Sequence, residues 1–153
     1  MELQTLYQEA IKFSTIKHLE QKQLVPGTEL PYVFHLSNVA MEILVAGSQT
    51  DKFDMGFAVQ VALLHDTLED TATKRKELET RFGKEVEQAV SALSKNLKLP
   101  KAKQMADSLK RIKKLKPEVW AVKLADDFGK TSSEVQVGFR IETQNGVVVV
   151  VPE

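Results

Sequence analysis

The sequence predicts a mainly α protein: a helical bundle followed by an atypical C-terminal β-hairpin. Two observations carry this. Apolar residues recur near a period of about 3.6 along the first part of the chain, as on helices with one buried face. After about residue 130 the pattern changes to strict alternation, followed by an Asn-Gly pair and a run of valines, which reads as two strands and a tight turn. The expected division is therefore 1–130 for the helical domain and 131–153 for the tail.

Taken in order, residues 2–24 place Leu3, Leu6, Tyr7, Ala10, Ile11, Phe13 and Ile16 at helical spacing. Pro26-Gly27 and Pro31 then mark a loop. Residues 32–46 form a second helix with Val33, Phe34, Val39, Ala40, Ile43 and Leu44 inward, ended by Gly47-Ser48-Gln49. A third helix is expected over about 54–69. Thr73 is a plausible N-cap for a short helix to Phe82, with Gly83 as its C-cap signal. Residues 84–95 and 101–115 read as amphipathic helices, the second started near Pro100 and ended by Pro117. Residues 118–127 look like a buried helix. In the tail, Val135, Val137, Phe139 and Ile141 alternate with polar residues, Asn145-Gly146 is the turn, and Val147 to Val151 form a strand that needs covering.

The chain has 153 residues, 42% hydrophobic and 27% charged, which suits one globular domain. Its formal net charge of +0 gives no global pull toward nucleic acid or membrane, so neither is an expected partner. The absence of cysteine excludes disulfides and thiolate metal sites; any metal must be held by histidine and carboxylate. It also fits a reducing compartment, and a cytoplasmic location is the expectation. No signal peptide and no bilayer-length apolar stretch are read.

The chemistry concentrates in Leu63-Leu64-His65-Asp66-Thr67-Leu68-Glu69-Asp70-Thr71. On a continuous helix His65 stacks over Glu69 and Asp66 over Asp70, making a polar stripe in an apolar setting. Burying these groups costs several kcal/mol unless something pairs with them. A divalent cation is the simplest partner. His35, at the start of an apolar helix, reads alone as a satisfied core residue; beside a His-Asp pair elsewhere it becomes a candidate ligand. Asp126 closes the segment Val122-Lys123-Leu124-Ala125-Asp126, where a carboxylate opposes the helix dipole and so suggests another role.

Together these residues resemble the HD-domain metallohydrolases and, within them, the RelA/SpoT-type small alarmone hydrolases that degrade (p)ppGpp. The resemblance runs over roughly residues 5–126. It rests on Pro31-Tyr32 with His35, Val39-Ala40, the Ala62–Thr71 string, Arg81-Phe82-Gly83 with Val86 and Val90, and Val122–Asp126. It implies an HD-type helical bundle, with His35, His65, Asp66 and Asp126 as metal ligands and Mn²⁺ as the ion. It makes Glu69 and Asp70 the catalytic acidic pair. The implied reaction removes the 3′-pyrophosphate of ppGpp or pppGpp, and the implied partner is a guanosine polyphosphate.

Substrate positions follow from the same resemblance. His18-Leu19-Glu20-Gln21-Lys22-Gln23 is similar to the family's His-x-x-Gln-x-Arg block, with Gln23 at the arginine position and Lys22 as a substitute charge. Tyr32 is expected to line the nucleotide pocket. Beyond Asp126 the pattern departs: Asp127 stands where the family has arginine, and Lys130 takes the place of an asparagine near the nucleotide sugar. Residues 95–116 are strongly basic, with Asp107 the one acid; a solvated helix face is the simpler reading and a polyphosphate-attracting patch the sharper one. Two other readings stay open. One is an HD phosphohydrolase acting on another nucleotide. The other is a catalytically weakened HD module for nucleotide binding or interaction, its C-terminal hairpin pairing to a partner or to itself by strand addition.

Overall fold

Every residue from Phe57 to Leu64 is buried, and the helix that carries them is the axis around which the others pack. A helix apolar on all sides has no solvent face to offer and must lie at a centre. The computed structural model describes the backbone of residues 1–130, 139–144 and 147–152 and the side chains through Asp127.

The helices are α1 (Leu3–Glu20), α2 (Val33–Ser48), α3 (Met55–Leu64), α4 (Thr67–Asp70), α5 (Arg75–Phe82), α6 (Lys84–Leu93), α7 (Lys101–Ile112) and α8 (Pro117–Lys130). α3 packs against α1, α2, α6 and α8; α5 lies on α6, and α6 on α7. The core joins Phe13 of α1, Leu36, Val39 and Ile43 of α2, Leu63 and Leu64 of α3, Leu78 of α5, Val90 of α6 and Val119 and Val122 of α8. Leu63 and Leu64 are fully buried, and burial of a side chain of that size contributes about 1.5–3 kcal/mol.

The start of α3 is set by its cap. Asp54 Oδ1 accepts from the Phe57 N–H at 3.1 Å, satisfying a donor that the first turn would otherwise leave open. The Asp54 N–H donates to Glu118 Oε1 at 3.0 Å, and Lys116 Nζ donates to Asp54 Oδ2 at 2.9 Å. The centre of the bundle is thereby tied to the start of α8. Gly83 joins α5 to α6 at φ +92°, a backbone angle that side chains rarely tolerate.

Several boundaries differ from the sequence expectation. α1 stops at Glu20, because Lys22 turns left-handed (φ +52°) and the Gln23 N–H closes back on the His18 carbonyl. α5 begins after Lys74; the Thr73 hydroxyl instead pairs with that of Thr71 at 2.7 Å. Pro117 opens α8 rather than ending α7, since the first helical position has no use for an N–H. The single helix expected over 54–69 is broken. α3 ends at Leu64 and α4 begins at Thr67, because two side chains compete for backbone carbonyls at the junction. His65 Nδ1 takes the Ala62 carbonyl at 2.6 Å, and the Thr67 hydroxyl takes that of Leu64 at 2.7 Å.

At the end of the chain β1 (Phe139–Gln144) pairs antiparallel with β2 (Val147–Pro152), Phe139 opposite Pro152 and Gln144 opposite Val147. The expected Asn145-Gly146 turn lies outside the described residues, as does the first part of the tail, 131–138.

Candidate metal centre

Three helices deliver the central cluster. His35 comes from the first turn of α2, His65 and Asp66 from the break after α3, and Asp126 from α8. All four are buried, at 8%, 3%, 5% and 5% exposure. The break matters to the site: by donating Nδ1–H to the Ala62 carbonyl, His65 is left with Nε2 aimed at the aspartates. Nε2 of His65 lies 3.0 Å from Asp66 Oδ2 and 3.1 Å from Asp126 Oδ1. Nε2 of His35 lies 2.9 Å from the same Asp126 oxygen and 3.9 Å from Asp66 Oδ2. One ligand atom from each residue fits within 4.8 Å of every other.

These spacings fit a cation. Ligands about 2.1 Å from a hydrolytic ion stand roughly 3 Å apart at neighbouring positions and roughly 4.2 Å apart across it. Two buried carboxylates with two neutral imidazoles carry two negative charges, matching a divalent ion. Nitrogen and oxygen donors without sulfur suit manganese, iron or zinc better than a soft ion.

The electrostatics of the cluster show how closely its charges are coupled. Burial disfavours charge on His65, but the Asp66 carboxylate and hydrogen bonds to Asp126 and Asp66 outweigh it and hold the imidazole well above its ordinary pKa. Burial likewise opposes the Asp66 charge, and the neighbouring His65 overcomes it, keeping that carboxyl well below the usual range.

Tyr32, just before α2, donates its hydroxyl to Asp66 Oδ2 at 2.5 Å. Burial first, and then the Asp66 charge, push the phenol far above its ordinary pKa, so it stays a neutral donor. Its ring meets His18 at 4.8 Å and His35 at 5.4 Å between centroids. The residue expected at a nucleotide pocket is here a hydrogen-bond partner of Asp66.

Glu69 and Asp70 sit on α4, half-buried, each with a separate anchor. Glu69 Oε1 accepts from the Lys95 N–H at 2.8 Å, and Asp70 Oδ2 accepts from Gln23 Nε2 at 3.1 Å. Lys22 is exposed at the end of α1. The side chain of Lys130 lies outside the described residues. Asp127, at the departure from the family pattern, accepts from Lys123 Nζ at 3.0 Å. Part of the basic stretch is structural: Arg111 donates to the Ser91 and Ser94 carbonyls and to Asp107, and Lys116 bridges Asp54 and Glu85. His18 and Gln23 are the residues that sequence reasoning undervalued. Position 23 read only as a lost arginine, whereas its amide joins α1 to the acidic pair.

A helical bundle that gathers two histidines and two aspartates at one point is the mark of an HD domain. The chain belongs to the HD domain family, whose model matches residues 10–129. The relatives are specific. Guanosine-3′,5′-bis(diphosphate) 3′-pyrophosphohydrolase MESH1 of Xenopus tropicalis is 31% identical over 154 residues, spanning 86% of this chain and 83% of the relative. The protein of that name from Homo sapiens is 35% identical over 119 residues, 77% of this chain and 63% of its own. Guanosine-3′,5′-bis(diphosphate) 3′-pyrophosphohydrolase of Aquifex aeolicus is 34% identical over 105 residues, covering 69% of this chain and 14% of that longer one. A solved structure described as a metazoan ortholog of SpoT that hydrolyses ppGpp superposes with a TM-score of 0.65 at 28% identity, covering 81% of this chain and 67% of the other. Among the described residues no helix is long and apolar enough to cross a membrane.

Proposed function

We propose that this chain is a metal-dependent pyrophosphohydrolase that removes the 3′-pyrophosphate of guanosine polyphosphates, with Mn²⁺ as its ion and the cytoplasm as its setting. One observation carries the reading: His35, His65, Asp66 and Asp126 converge within 4.8 Å, and two further carboxylates, Glu69 and Asp70, follow Asp66 on α4. Support comes from relatives named for this reaction, at 31% identity over 86% of the chain.

When bound, the ion supplies Lewis-acid chemistry, activating water and offsetting charge on the phosphoryl oxygens. The chain supplies the rest. His35, His65, Asp66 and Asp126 hold the site, and the Tyr32 hydroxyl orients Asp66. Glu69 and Asp70 accept the proton that water loses as its oxygen attacks the phosphorus on the 3′-oxygen. The bond from that phosphorus to the 3′-oxygen breaks, a proton is delivered to the leaving oxygen, and pyrophosphate departs from GDP or GTP. Lys22, Tyr32 and Lys130 are the nucleotide-binding positions in this reading. The pairing of β1 with β2 supports a hairpin at the end of the chain, beyond an HD domain covering 1–130.

A second reading, an HD module that binds nucleotide without turning it over, draws on Asp127, whose carboxylate is engaged by Lys123 at a position the resemblance gives to arginine. Pyrophosphate release from ppGpp with added Mn²⁺ separates the two. The wild-type chain should turn over, and Glu69→Gln should lose about 10²–10⁴-fold in rate with manganese content unchanged. Bound manganese with no release from any guanosine polyphosphate would establish the second reading instead.

A further inference from the structure

We propose that Gln23 is a positioning residue: it aims the Asp70 carboxylate, and His18 in turn fixes the orientation of the Gln23 amide. The inference rests on the proton-handling role given to Asp70 above.

The backbone at Gln23 is held from both sides. α1 ends in a left-handed turn at Lys22 (φ +52°), a conformation that costs a residue with a side chain on the order of 1 kcal/mol and marks a place where the surroundings dictate the geometry. The turn lets the Gln23 N–H donate to the His18 carbonyl at 3.2 Å, while the Gln23 carbonyl accepts from the Tyr32 N–H at 3.2 Å. Gln23 is thus locked between the end of α1 and the residue that orients Asp66.

Its side chain bridges two groups. Nε2 lies 3.1 Å from Asp70 Oδ2, and Oε1 lies 2.7 Å from His18 Nδ1. Chemistry sets the direction of both bonds. An ionised carboxylate only accepts, so the amide must turn its NH₂ to Asp70 and its oxygen to His18. His18 must then carry its proton on Nδ1. The ring is buried at 2% exposure, and burial outweighs its Gln23 bond to lower its pKa, which keeps it neutral. Nε2 is consequently an acceptor, and among the described residues this buried atom has no hydrogen-bond partner. With its amide set by the acceptor-only Asp70 carboxylate, Gln23 selects the Nδ1–H tautomer of His18, and the bond from that ring then holds the amide from its other end. An arginine in this position would place a full charge on Asp70; glutamine supplies a neutral donor that holds the carboxylate without a counter-charge.

The alternative assigns position 23 to the nucleotide, and the two differ in the kinetic constant they move. Gln23→Leu removes both bonds; Gln23→Glu keeps the size and the His18 bond but loses the donor to Asp70. Both should lower kcat about 10–100-fold, the scale of a misplaced or unsupported reacting group, with KM for ppGpp within about twofold and manganese content unchanged. A raised KM with kcat intact, or no kinetic change in Gln23→Glu, overturns the proposal. Nitrogen-15 NMR of the His18 ring reads the relay without turnover: the wild-type ring should be neutral with its proton on Nδ1, and Gln23→Leu should disturb that state and the Asp70 carboxyl carbon shift. A wild-type ring protonated on Nε2 instead overturns the relay. Absent wild-type turnover counts against the proposed reaction, and the NMR result then decides the relay by itself.

Discussion

His35 and Asp126 stand 91 positions apart in the chain, yet Nε2 of the one lies 2.9 Å from Oδ1 of the other. The same oxygen lies 3.1 Å from His65 Nε2, so Asp126 is the point where α2, α3 and α8 meet. A contact of this kind, buried and between groups of ligating type, is what an ion would replace by bonds to itself.

Asp126→Asn should therefore weaken manganese binding by at least about 100-fold while leaving the helical circular dichroism unchanged. The volume is kept, so the core does not collapse; only the charge is lost. Metal analysis after dialysis against a fixed manganese concentration checks this, and full occupancy in the variant would remove Asp126 from the ligand set.

Tyr32→Phe deletes one hydroxyl, the donor at 2.5 Å from Asp66. The ring and its contacts with His18 and His35 survive, so stability should change little. Manganese affinity should fall about 10–100-fold, the usual cost of losing a group that orients a ligand. Were Tyr32 important to the nucleotide alone, calorimetric titration with manganese would show no change.

Removing the ion should destabilise the fold, because buried Asp66 and Asp126 then depend on protons and hydrogen bonds alone. An ion present at 100 times its dissociation constant adds about 2.7 kcal/mol. In a chain of this size that corresponds to roughly 5–10 °C in Tm. Scanning calorimetry before and after chelation, then with manganese restored, should show the loss and its recovery.

Asp54→Ala should cost about 1 kcal/mol through the lost cap on α3, and Asp54→Asn, which keeps an acceptor for the Phe57 N–H, should cost less. Burial raises the Asp54 pKa, but the Lys116 and Phe57 hydrogen bonds and the Lys116 charge outweigh it, so the folded value lies below the unfolded one. The ionic part of its contribution is then present above the ordinary carboxylate range and is lost as pH falls through the lowered folded pKa. Urea unfolding at neutral pH should separate wild type from Asp54→Ala more widely than in acid; an equal gap at both would contradict the assignment.

Much of this was legible beforehand. The helical periods placed α2, α6 and α8 well, and Gly83 marked a turn that its φ of +92° requires. The ligand types followed from chemistry: without cysteine, buried His and Asp imply a hard or borderline cation. What periodicity could not reveal was the interruption at His65, because the Ala62 carbonyl is as available to the next backbone N–H as to a side chain. Competition between the two is decided by the tertiary contacts that hold the buried imidazole against Asp66 and Asp126.

By itself the sequence determined which segments are helical and which residue types could grip an ion; these depend on local spacing and on hydrophobicity, both written along the chain. Tertiary structure alone decided that Tyr32 serves Asp66 and that Gln23 joins His18 to Asp70. Those contacts depend on how helices cross, and crossing is settled by packing the whole core at once, a sum to which no short stretch of sequence holds the answer.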